Sequence, residues 1–377
     1  MSVGSVGVLG AGTMGTGIAQ IAALGGFETR IYDAFPDAAQ ASTVRLGEAL
    51  ANGVDRGRWG EKEAEAAAGR ATPVESLADL AGCELVIEAA PEDVRLKREL
   101  FAATAAACGA ETVLASNTSS LRVVEIAVGV PGPERVVGMH FFNPPALMKL
   151  VEIVATPESS DRALTTATEV AARMGRSPIR AKDSPGFVAN RLSRPFFLES
   201  LRMLGDGVAD AATIDRAVRG AGFRMGPFEL IDLIGLDVNL EIARSFYRQG
   251  GEPERWRPSP IQERLVAEGK LGRKNGAGYY SYPRPEDAAA SDAPPTELLP
   301  RLYAQIANEA AFAREEEIAS PEDMETAMRL GFNWPQGPIA ITEQLGPARA
   351  VDLLEALRAE RGEAYRPAPL LVAEAGA

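Results

Sequence analysis

The stretch VGSVGVLGAGTMGTGIAQIAALGGFETRIYDAF, residues 3–35, decides the fold of this chain. It reads as a strand, a glycine turn, a helix and a second strand, which together form the first βαβ unit of a doubly wound sheet. In the turn, Gly10 permits a tight bend, Gly12 permits close approach of the backbone to a diphosphate, and Gly15 permits close packing of the helix. The stretch predicts a dinucleotide-binding domain, although a glycine turn alone also occurs by chance.

The residues after the turn indicate which dinucleotide is bound. The first amides of the helix, at Thr13 and Met14, and the helix dipole are suited to bind a diphosphate. Asp33 ends the second strand about 20 residues beyond the turn. A carboxylate at this place accepts hydrogen bonds from the adenosine ribose and repels a 2′-phosphate, so the expected cofactor is NAD and not NADP.

Further apolar runs continue the sheet, with alanine-rich helical segments between most of them. Because the runs do not alternate strictly with polar residues, they are typical of strands buried on both faces. The runs are CELVIEAAP, ETVLASN, ERVVGMHF, KLVEIV and SPIRAKD. We therefore predict that residues 1–183 form one α/β domain of the doubly wound, Rossmann type.

One insertion interrupts this domain between the second and third predicted strands. Residues 37–70 read as helix, turn and helix, which is too long for an ordinary connection. The insertion carries Arg45, Arg56 and Arg58. It is either a solvated helical face or an arm that grips the phosphates of a ligand.

The pattern becomes helical after KDSPGFVANRL. Ser184 is a plausible N-cap with Pro185 at the first helical position, so a helix is predicted from there to about Leu204. A stretch rich in Pro, Ala, Asp and Ser then predicts a flexible linker. The predicted parts are a helical domain at 184–281, the linker at 282–297 and a second helical domain at 298–377.

The two helical domains are related by an internal repeat. At an offset of 110, Glu199 falls on Glu309, and after a slip of one residue Gly226 falls on Gly337. The second copy lacks counterparts of DSPGFVANRL and KLGRKNGAGYY, so it keeps packing glycines without the polar residues that could do chemistry. We predict two tandem all-α domains, of which the second is degenerate and structural.

Composition limits the class of ligand. The chain has 39 Lys and Arg against 52 Asp and Glu, a formal net charge of −13. A general attraction to nucleic acid or to anionic lipid is therefore not expected, and an anionic ligand needs a local cationic patch. Cys83 and Cys108 have neither metal-binding nor redox spacing, which favours core positions in a reducing compartment. No leader and no apolar stretch approaching the ~20 residues of a membrane span is present, so we predict a cytoplasmic protein without a metal.

Residues 138–154, GMHFFNPPALMKLVEIV, contain the only histidine of the chain. His140 ends one apolar strand, and Glu152 lies in the middle of another, where an unpaired carboxylate would carry a desolvation penalty of several kcal/mol. A carboxylate bonded to one ring nitrogen leaves the other nitrogen as a base and stabilises the imidazolium. We predict that His140 and Glu152 form such a pair and transfer a proton beside NAD; a purely structural pair is the alternative.

The chain resembles the L-3-hydroxyacyl-CoA dehydrogenase family, including its 3-hydroxybutyryl-CoA members. The resemblance rests on GVLGAGTMGTGIAQ, SNTSSL, HFFNPPALMKLVEIV, DSPGFVANRL, GPFELIDLIGLD and GKLGRKNGAGYY, in this order. It runs continuously from residue 1 to about residue 280, and the tail is similar to a repeated C-terminal domain. In this family tandem C-terminal copies look like a single-chain version of the dimer interface of shorter enzymes, so a monomer is expected here, with a homodimer as the alternative.

The resemblance implies a reaction and a set of catalytic residues. The reaction is the reversible, NAD-dependent oxidation of an L-3-hydroxyacyl-CoA to the 3-ketoacyl-CoA, as in fatty acid metabolism. His140 matches the family's base and Glu152 its partner, while Ser119 and Asn190 match the residues that hold the reacting oxygen and orient the substrate. Their residue types fit these roles, because Ser119 can donate to an oxygen that gains charge and an Asn can position a carbonyl.

The resemblance also implies binding residues. Asn143, Glu92, Lys97 and Lys274 match positions near the cofactor, although their local sequence alone indicates a turn residue at Asn143 and three solvated charges. The arm matches the part of the family that contacts coenzyme A, with Arg56 at a basic position used for this purpose. A serine that the family often has on the arm is replaced by Ala49. Arg45 and Arg58 are candidates to compensate for this loss.

Three alternatives remain open from the sequence. Relatives with the same scaffold oxidise free hydroxy acids such as L-gulonate, and the acyl group could be dicarboxylic, as in 3-hydroxyadipyl-CoA. A non-catalytic descendant that only binds NAD is the third. The acyl chain length cannot be predicted, because apolar residues of unknown register line the pocket.

Overall fold

A computed structural model describes residues 4–283 and 295–377 of the chain. The chain divides into two compact units, Met1–Phe187 and Val188–Ala377. The first boundary predicted from the sequence, after residue 183, is four residues earlier than this division. Most of the predicted linker, residues 284–294, lies outside the described residues, so the linker stays a prediction.

The first unit is built on an eight-stranded sheet. Its strands are β1 (Ser5–Leu9), β2 (Glu28–Tyr32), β3 (Ala71–Val74), β4 (Leu85–Glu88), β5 (Val113–Ser116), β6 (Val136–Phe141), β7 (Leu150–Ala155) and β8 (Ser177–Lys182). Their order in the sheet is β3-β2-β1-β4-β5-β6-β7-β8. The first six strands pair in parallel and reproduce the strand order typical of the Rossmann fold, as predicted.

The last two strands depart from the parallel arrangement. β7 pairs with β6 in antiparallel orientation, and β8 is parallel to β7, so both run against the other six. The connection between β6 and β7 comprises only residues 142–149. A parallel crossover needs a dozen residues or more, so this short connection makes a hairpin and brings the start of β7 beside the end of β6.

Six α-helices cover this sheet. They are α1 (Thr13–Leu24), α2 (Pro36–Asp55), α3 (Glu61–Arg70), α4 (Val94–Ala107), α5 (Val123–Ala127) and α6 (Asp161–Arg173). The pair α2 and α3 forms the predicted helical arm. Strands β4 to β6 are buried along their whole length, as their uninterrupted apolar runs indicate. Cys83 and Cys108 are free and buried, and burial raises the pKa of the Cys83 thiol to about 11, so it stays a protonated core residue.

The helix predicted to begin at Ser184 is wrong in its start. Gly186 and Phe187 have φ values of +71° and +53°, which a right-handed helix does not allow. The first helix of the second unit therefore begins at Ala189, and the Ser184 hydroxyl is buried without a hydrogen-bond partner among the described residues. The helix is also interrupted at Ser193, so two helices replace the single one.

The described part of the second unit contains helices throughout. They are α7 (Ala189–Leu192), α8 (Arg194–Gly205), α9 (Ala211–Gly220), α10 (Pro227–Ile234), α11 (Leu236–Gln249), α12 (Pro260–Ala267), α13 (Leu298–Glu315), α14 (Pro321–Gly331), α15 (Pro338–Leu345), α16 (Pro347–Arg361) and α17 (Pro369–Ala375). Short 3-10 helices at Glu254–Trp256 and Glu363–Tyr365 follow α11 and α16. None of the helices in residues 4–283 and 295–377 is both long enough and apolar enough to cross a membrane.

Candidate active site

The glycine turn lies at the carboxyl end of β1, between the neighbouring strands β2 and β4. Gly10 has φ of +100°, and a Cβ there would lie 2.7 Å from the carbonyl oxygen of Ala89. A Cβ on Gly15 would overlap the carbonyl oxygen of Gly10. At Gly12 the position of a Cβ has no described atom within 4 Å. The turn therefore tolerates only glycine at two positions and leaves open space at the third, where a diphosphate is expected.

The N-terminus of α1 is open to an anionic ligand. Its N-cap, Gly12, supplies no side-chain oxygen, and its first turn, from Thr13 and Met14 onward, carries no acidic residue. The positive end of the helix dipole is therefore not neutralised by the helix itself. These residues fit the diphosphate of NAD.

Asp33 follows β2 and is tied to the turn. Its Oδ2 accepts from the amide of Ala11 at 2.7 Å, and its Oδ1 accepts from the amide of Phe35 at 3.0 Å. A carboxylate oxygen accepts more than one hydrogen bond, so capacity remains for the hydroxyls of a ribose. The position and chemistry of Asp33 agree with NAD.

The three arginines predicted to contact coenzyme A have different environments. The Arg45 Nη2 donates to the carbonyl oxygen of Ala11 at 2.6 Å, so this side chain points from α2 to the glycine turn. Arg45 therefore braces the cofactor turn, and the prediction that it compensates for the missing serine is not supported by its position. Arg56 and Arg58 lie in the turn between α2 and α3 and are exposed.

The histidine and the glutamate meet as predicted. His140 on β6 is paired in register with Glu152 on β7, and His140 Nδ1 lies 2.6 Å from Glu152 Oε2. Both side chains are buried, with exposures of 6% and 0%. An ionised carboxylate only accepts hydrogen bonds, so a neutral imidazole paired with an ionised Glu152 carries its proton on Nδ1 and keeps a lone pair on Nε2. The rings of Phe142 and Phe187 pack against the imidazole with centroids 4.5 and 5.8 Å away.

The loop that carries Ser119 follows β5 and is shaped by Glu92. Oε1 of Glu92 accepts from the hydroxyl of Thr118 at 2.6 Å and from the amides of Ser119 and Ser120 at 3.1 and 3.0 Å. Burial alone would raise the pKa of Glu92, but the Lys97 ammonium and the hydrogen bonds from Thr118 and Ser120 outweigh burial and hold that pKa below its ordinary value. Glu92 thus acts on the loop as an ionised acceptor.

The same loop is joined to the strand of the histidine. Oδ1 of Asn117 accepts from the amide of Phe141, next to His140, at 2.8 Å. Ser116 and Gly138 are partners in the parallel register of β5 and β6. Ser119 therefore follows the carboxyl end of β5, and His140 lies near the carboxyl end of the adjacent strand β6. Ligands bind at this edge in sheets of this kind.

Lys97 is the centre of a buried ionic cluster. Its Nζ lies 2.6 Å from Glu88 Oε1 and 3.2 Å from Glu92 Oε2, and its side chain is 1% exposed. Glu88 also accepts from the hydroxyl of Ser116 at 2.6 Å. The local indication of a solvated charge is therefore wrong for Lys97. Glu88 was missed altogether, although a glutamate at the end of the apolar run LVIE signals a polar group at the carboxyl end of a strand.

The remaining predicted residues lie outside these clusters. Asn143 is exposed in the hairpin between β6 and β7, before Pro144. Asn190 and Lys274 belong to the second unit. Asn190 lies on α7, and Lys274 Nζ forms an ion pair with Asp237 Oδ1 at 2.5 Å. In the described residues, no group of three or more His, Cys, Asp or Glu side chains is placed to hold a metal ion.

Comparisons with known proteins show which family matches the two units. The model of the 3-hydroxyacyl-CoA dehydrogenase NAD-binding domain matches residues 5–184, and that of the C-terminal domain of the same enzymes matches residues 186–282 and 298–375. The 3-hydroxyadipyl-CoA dehydrogenase of Escherichia coli K12 is 34% identical, over 98% of this chain and 97% of that protein. A probable 3-hydroxybutyryl-CoA dehydrogenase of Bacillus subtilis is 38% identical, over 75% of this chain and 98% of its own length.

A solved structure extends the likeness to three dimensions. The crystal structure of a 3-hydroxybutyryl-CoA dehydrogenase from Escherichia coli K12 substr. MG1655 superposes with a TM-score of 0.95 at 34% identity. The match covers 100% of this chain and 98% of that one.

Proposed function

Because this chain belongs to the 3-hydroxyacyl-CoA dehydrogenase family and is an NAD-dependent oxidoreductase, we propose that it oxidises an L-3-hydroxyacyl-CoA reversibly to the 3-ketoacyl-CoA with His140 as the base. The observation that carries this proposal is the buried contact of 2.6 Å between His140 Nδ1 and Glu152 Oε2. It leaves one imidazole nitrogen for proton transfer in the NAD-binding domain of a chain with a single histidine.

His140 and Glu152 carry out the proposed proton transfer. His140 Nε2 accepts the proton of the C3 hydroxyl, and the Glu152 carboxylate stabilises the positive charge that the ring acquires. When bound, NAD supplies the acceptor for the hydride that leaves C3. In the reverse direction solvent first protonates the imidazole, and the resulting imidazolium gives this proton to the oxygen on C3.

Two further side chains complete the proposed machinery. Ser119 donates its hydroxyl to the reacting oxygen, and the hydrogen bonds that the amides of Ser119 and Ser120 donate to Glu92 hold the loop backbone in place. Asn190 orients the substrate carbonyl, as the resemblance implies. Asp33, the glycine turn, Asn143, Glu92, Lys97 and Lys274 are proposed to bind or to support NAD.

Replacing Glu152 by glutamine should lower kcat by about 10- to 100-fold, because glutamine keeps the shape of the side chain but no longer stabilises the imidazolium. Steady-state rates with saturating NAD measure the effect. Glu111→Gln, on an exposed glutamate of the same unit, is the matched control and should behave as wild type. If Glu152→Gln retained wild-type kcat with an intact fold, the pair would be merely structural.

The names of the relatives indicate two candidate acyl groups for the substrate. Among the relatives that match nearly the whole chain, one is named for 3-hydroxyadipyl-CoA, and one solved structure is named for 3-hydroxybutyryl-CoA. We propose a short acyl group, with 3-hydroxybutyryl-CoA first and the dicarboxylic 3-hydroxyadipyl-CoA as the second candidate. A short-chain substrate and a cytoplasmic location remain predictions.

A rate panel tests the proposed function. It compares L-3-hydroxybutyryl-CoA, 3-hydroxyadipyl-CoA, free 3-hydroxybutyrate and L-gulonate, each with NAD and with NADP. We expect the largest kcat/KM for one of the two CoA esters with NAD. A larger kcat/KM for L-gulonate would replace the proposal, and tight NAD binding without turnover of any substrate would indicate a non-catalytic protein.

We further propose that the second unit is a tandem duplication. Helices α9 to α12 and α14 to α17 follow one another in the same order, with a 3-10 helix at the same place in each series. The first helix of each series has a polar N-cap, Asp210 in one and Ser320 in the other. The backbone amides at the start of the second helix of each series donate to one carboxylate. This carboxylate is Asp215 for α10 and Glu325, at an offset of 110, for α15.

Two buried ionic clusters support the duplication, because each joins one copy to the other. Arg191 Nε lies 2.8 Å from Glu309 Oε1, and Arg301 Nε contacts Glu199 Oε1. The two arginines are 110 residues apart in the sequence, and so are the two glutamates. Residue i of one copy thus contacts residue j of the other in both directions, as in an interface between identical subunits. We propose that the second copy takes the structural place of a partner subunit, so the chain is a monomer.

A further inference from the structure

A pocket of about 300 Å³ in the second unit is lined by both copies of the proposed duplication. The loop between α9 and α10, residues 221–226, and the loop between α14 and α15, residues 332–337, both contribute to it. The two loops are equivalent in the duplication, since Arg224 in the first and Trp334 in the second are 110 residues apart. The second copy therefore supplies part of a cavity as well as a packing surface.

Most of the pocket wall is apolar. The rings of Phe196, Phe223 and Trp334 contact one another, with centroid distances between 5.4 and 5.6 Å. The other apolar residues of the wall are Met225, Leu230, Leu233 and Phe332. A volume of about 300 Å³ is at the lower end of the range for small-molecule sites, so the pocket suits a short hydrocarbon chain and not a long one.

One cation lies in this apolar lining. Arg224 is exposed, and within residues 4–283 and 295–377 it has no hydrogen bond or ion pair with another side chain. The described lining includes no Asp or Glu, and Asn333 adds a neutral amide. A guanidinium and an amide both donate hydrogen bonds, and a carboxylate accepts them at both of its oxygens. The pocket is therefore complementary to a chain that is apolar along its length and ends in a carboxylate.

The pocket lies close to Asn190, the residue proposed to orient the substrate. Helix α14, which leads into the loop of Trp334, packs against α7, which carries Asn190. The backbone stays right-handed at Ser193, between α7 and α8, so Phe196 lies about 9 Å from Asn190 along the helical path. A dicarboxylic acyl group such as 3-hydroxyadipyl, together with the flexible side chain of Arg224, can span a separation of this size.

We propose that this pocket binds the far end of a dicarboxylic acyl group, with Arg224 as the residue that holds its terminal carboxylate. The inference rests on the proposed function and assigns a specificity-determining residue to its second candidate substrate, 3-hydroxyadipyl-CoA. The acyl group of 3-hydroxybutyryl-CoA has no terminal carboxylate, so its oxidation does not depend on Arg224. The loop of the second copy, through Trp334, forms part of the wall against which the hydrocarbon segment packs.

Replacing Arg224 by methionine in the full chain tests this assignment. Methionine keeps a long side chain without its charge, and position 224 is exposed, so the fold should be retained. We expect kcat/KM for L-3-hydroxyadipyl-CoA to fall about tenfold at low ionic strength, and by less as salt is added. The values for L-3-hydroxybutyryl-CoA and for L-3-hydroxyhexanoyl-CoA, which has the same carbon chain without the carboxylate, should not fall. Arg264→Met, on an exposed arginine of α12 in the same unit, is the matched control and should behave as wild type with all three esters.

Reversal of the charge provides a second measurement. Arg224→Glu should lower kcat/KM for L-3-hydroxyadipyl-CoA further, because two carboxylates would then face each other. It should also raise kcat/KM about tenfold, relative to wild type, for the analogue of the same length that ends in an ammonium group. A general loss of stability cannot produce such an exchange of preference.

The outcomes separate this inference from the proposed function. Equal losses for the adipyl and hexanoyl esters in Arg224→Met, or no loss for either, would overturn the inference. It would also be overturned if the wild type oxidised L-3-hydroxybutyryl-CoA but not L-3-hydroxyadipyl-CoA. In each of these cases turnover of L-3-hydroxybutyryl-CoA would still support the proposed function. If the wild type oxidised no acyl-CoA, the proposed function would fail and this inference with it.

Discussion

Replacing His140 by glutamine should lower kcat for the oxidation of an L-3-hydroxyacyl-CoA by about 10²- to 10⁴-fold, because a positioned base contributes an acceleration of this size. The chain contains no other histidine that could take over the proton. Glutamine fills a similar volume but does not accept a proton near neutral pH. Single-turnover formation of NADH, measured at saturating NAD and substrate, isolates the chemical step.

The control for this experiment is Met139→Leu, on the residue before His140 in the same buried strand. A swap of similar volume in the core usually costs less than ~1.5 kcal/mol, so this variant should remain folded with kcat close to wild type. The affinity for NAD, followed by fluorescence, should be the same in both variants. A loss below about threefold in His140→Gln would contradict the assignment of the base, given the contribution expected of it.

The part of the site that could be predicted from the sequence depends on local rules. The positive φ of Gly10 and the close contact of Gly15 with the Gly10 carbonyl are demands of the local backbone, so the spacing of the glycines and the following Asp33 were sufficient to predict the cofactor turn. The pair of His140 and Glu152 could be predicted because an isolated buried carboxylate is too costly to remain without a partner. In both cases the physical demand is visible in a short stretch of sequence.

The features that could not be predicted depend on contacts between distant segments. Phe187 adopts a positive φ that its own sequence disfavours, so the helix signal of Ser184 and Pro185 was overruled by the surrounding structure. Lys97 is buried because it meets Glu88 on β4 and Glu92 after it, and a lysine on a helix otherwise indicates a solvated face. Arg45 was assigned to the substrate from its place on the arm, whereas its bond to the glycine turn becomes visible only when α2 packs beside α1.

The direction of β7 and β8, which run against the other six strands, also could not be read from their own sequences. The apolar runs at β7 and β8 were recognised as strands, but a run buried on both faces does not disclose its direction. The length of the connection does, since residues 142–149 are too few for a crossover. The hairpin has a consequence for the proposed site, because antiparallel pairing of β6 and β7 sets Glu152 directly opposite His140.

Replacing Arg301 by methionine should lower the free energy of unfolding of the second unit by about 3 kcal/mol, because the variant leaves Glu199 buried without its main cation. The estimate is at the lower end of the range for breaking a buried pair, since Arg202 and Tyr365 still contact Glu199 at 3.2 and 3.1 Å. Urea denaturation followed by circular dichroism measures the change. The equivalent variant of the other cluster, Arg191→Met, should have an effect of similar size, since Glu309 is nearly as buried as Glu199.

The comparison with an exposed ion pair separates burial from charge. Arg349 and Glu297 are paired at 3.4 Å with 54% and 62% of their side chains exposed, so Arg349→Met should change the stability by less than about 1 kcal/mol. In the double variant Arg301→Met, Glu199→Leu the buried carboxylate is also removed, and much of the lost stability should return. Equal effects of Arg301→Met and Arg349→Met would contradict the proposed reciprocal interface. A dimeric mass of the wild type in light scattering would contradict the proposed monomer. It would show that the chain has a further interface, in addition to the one between its two copies.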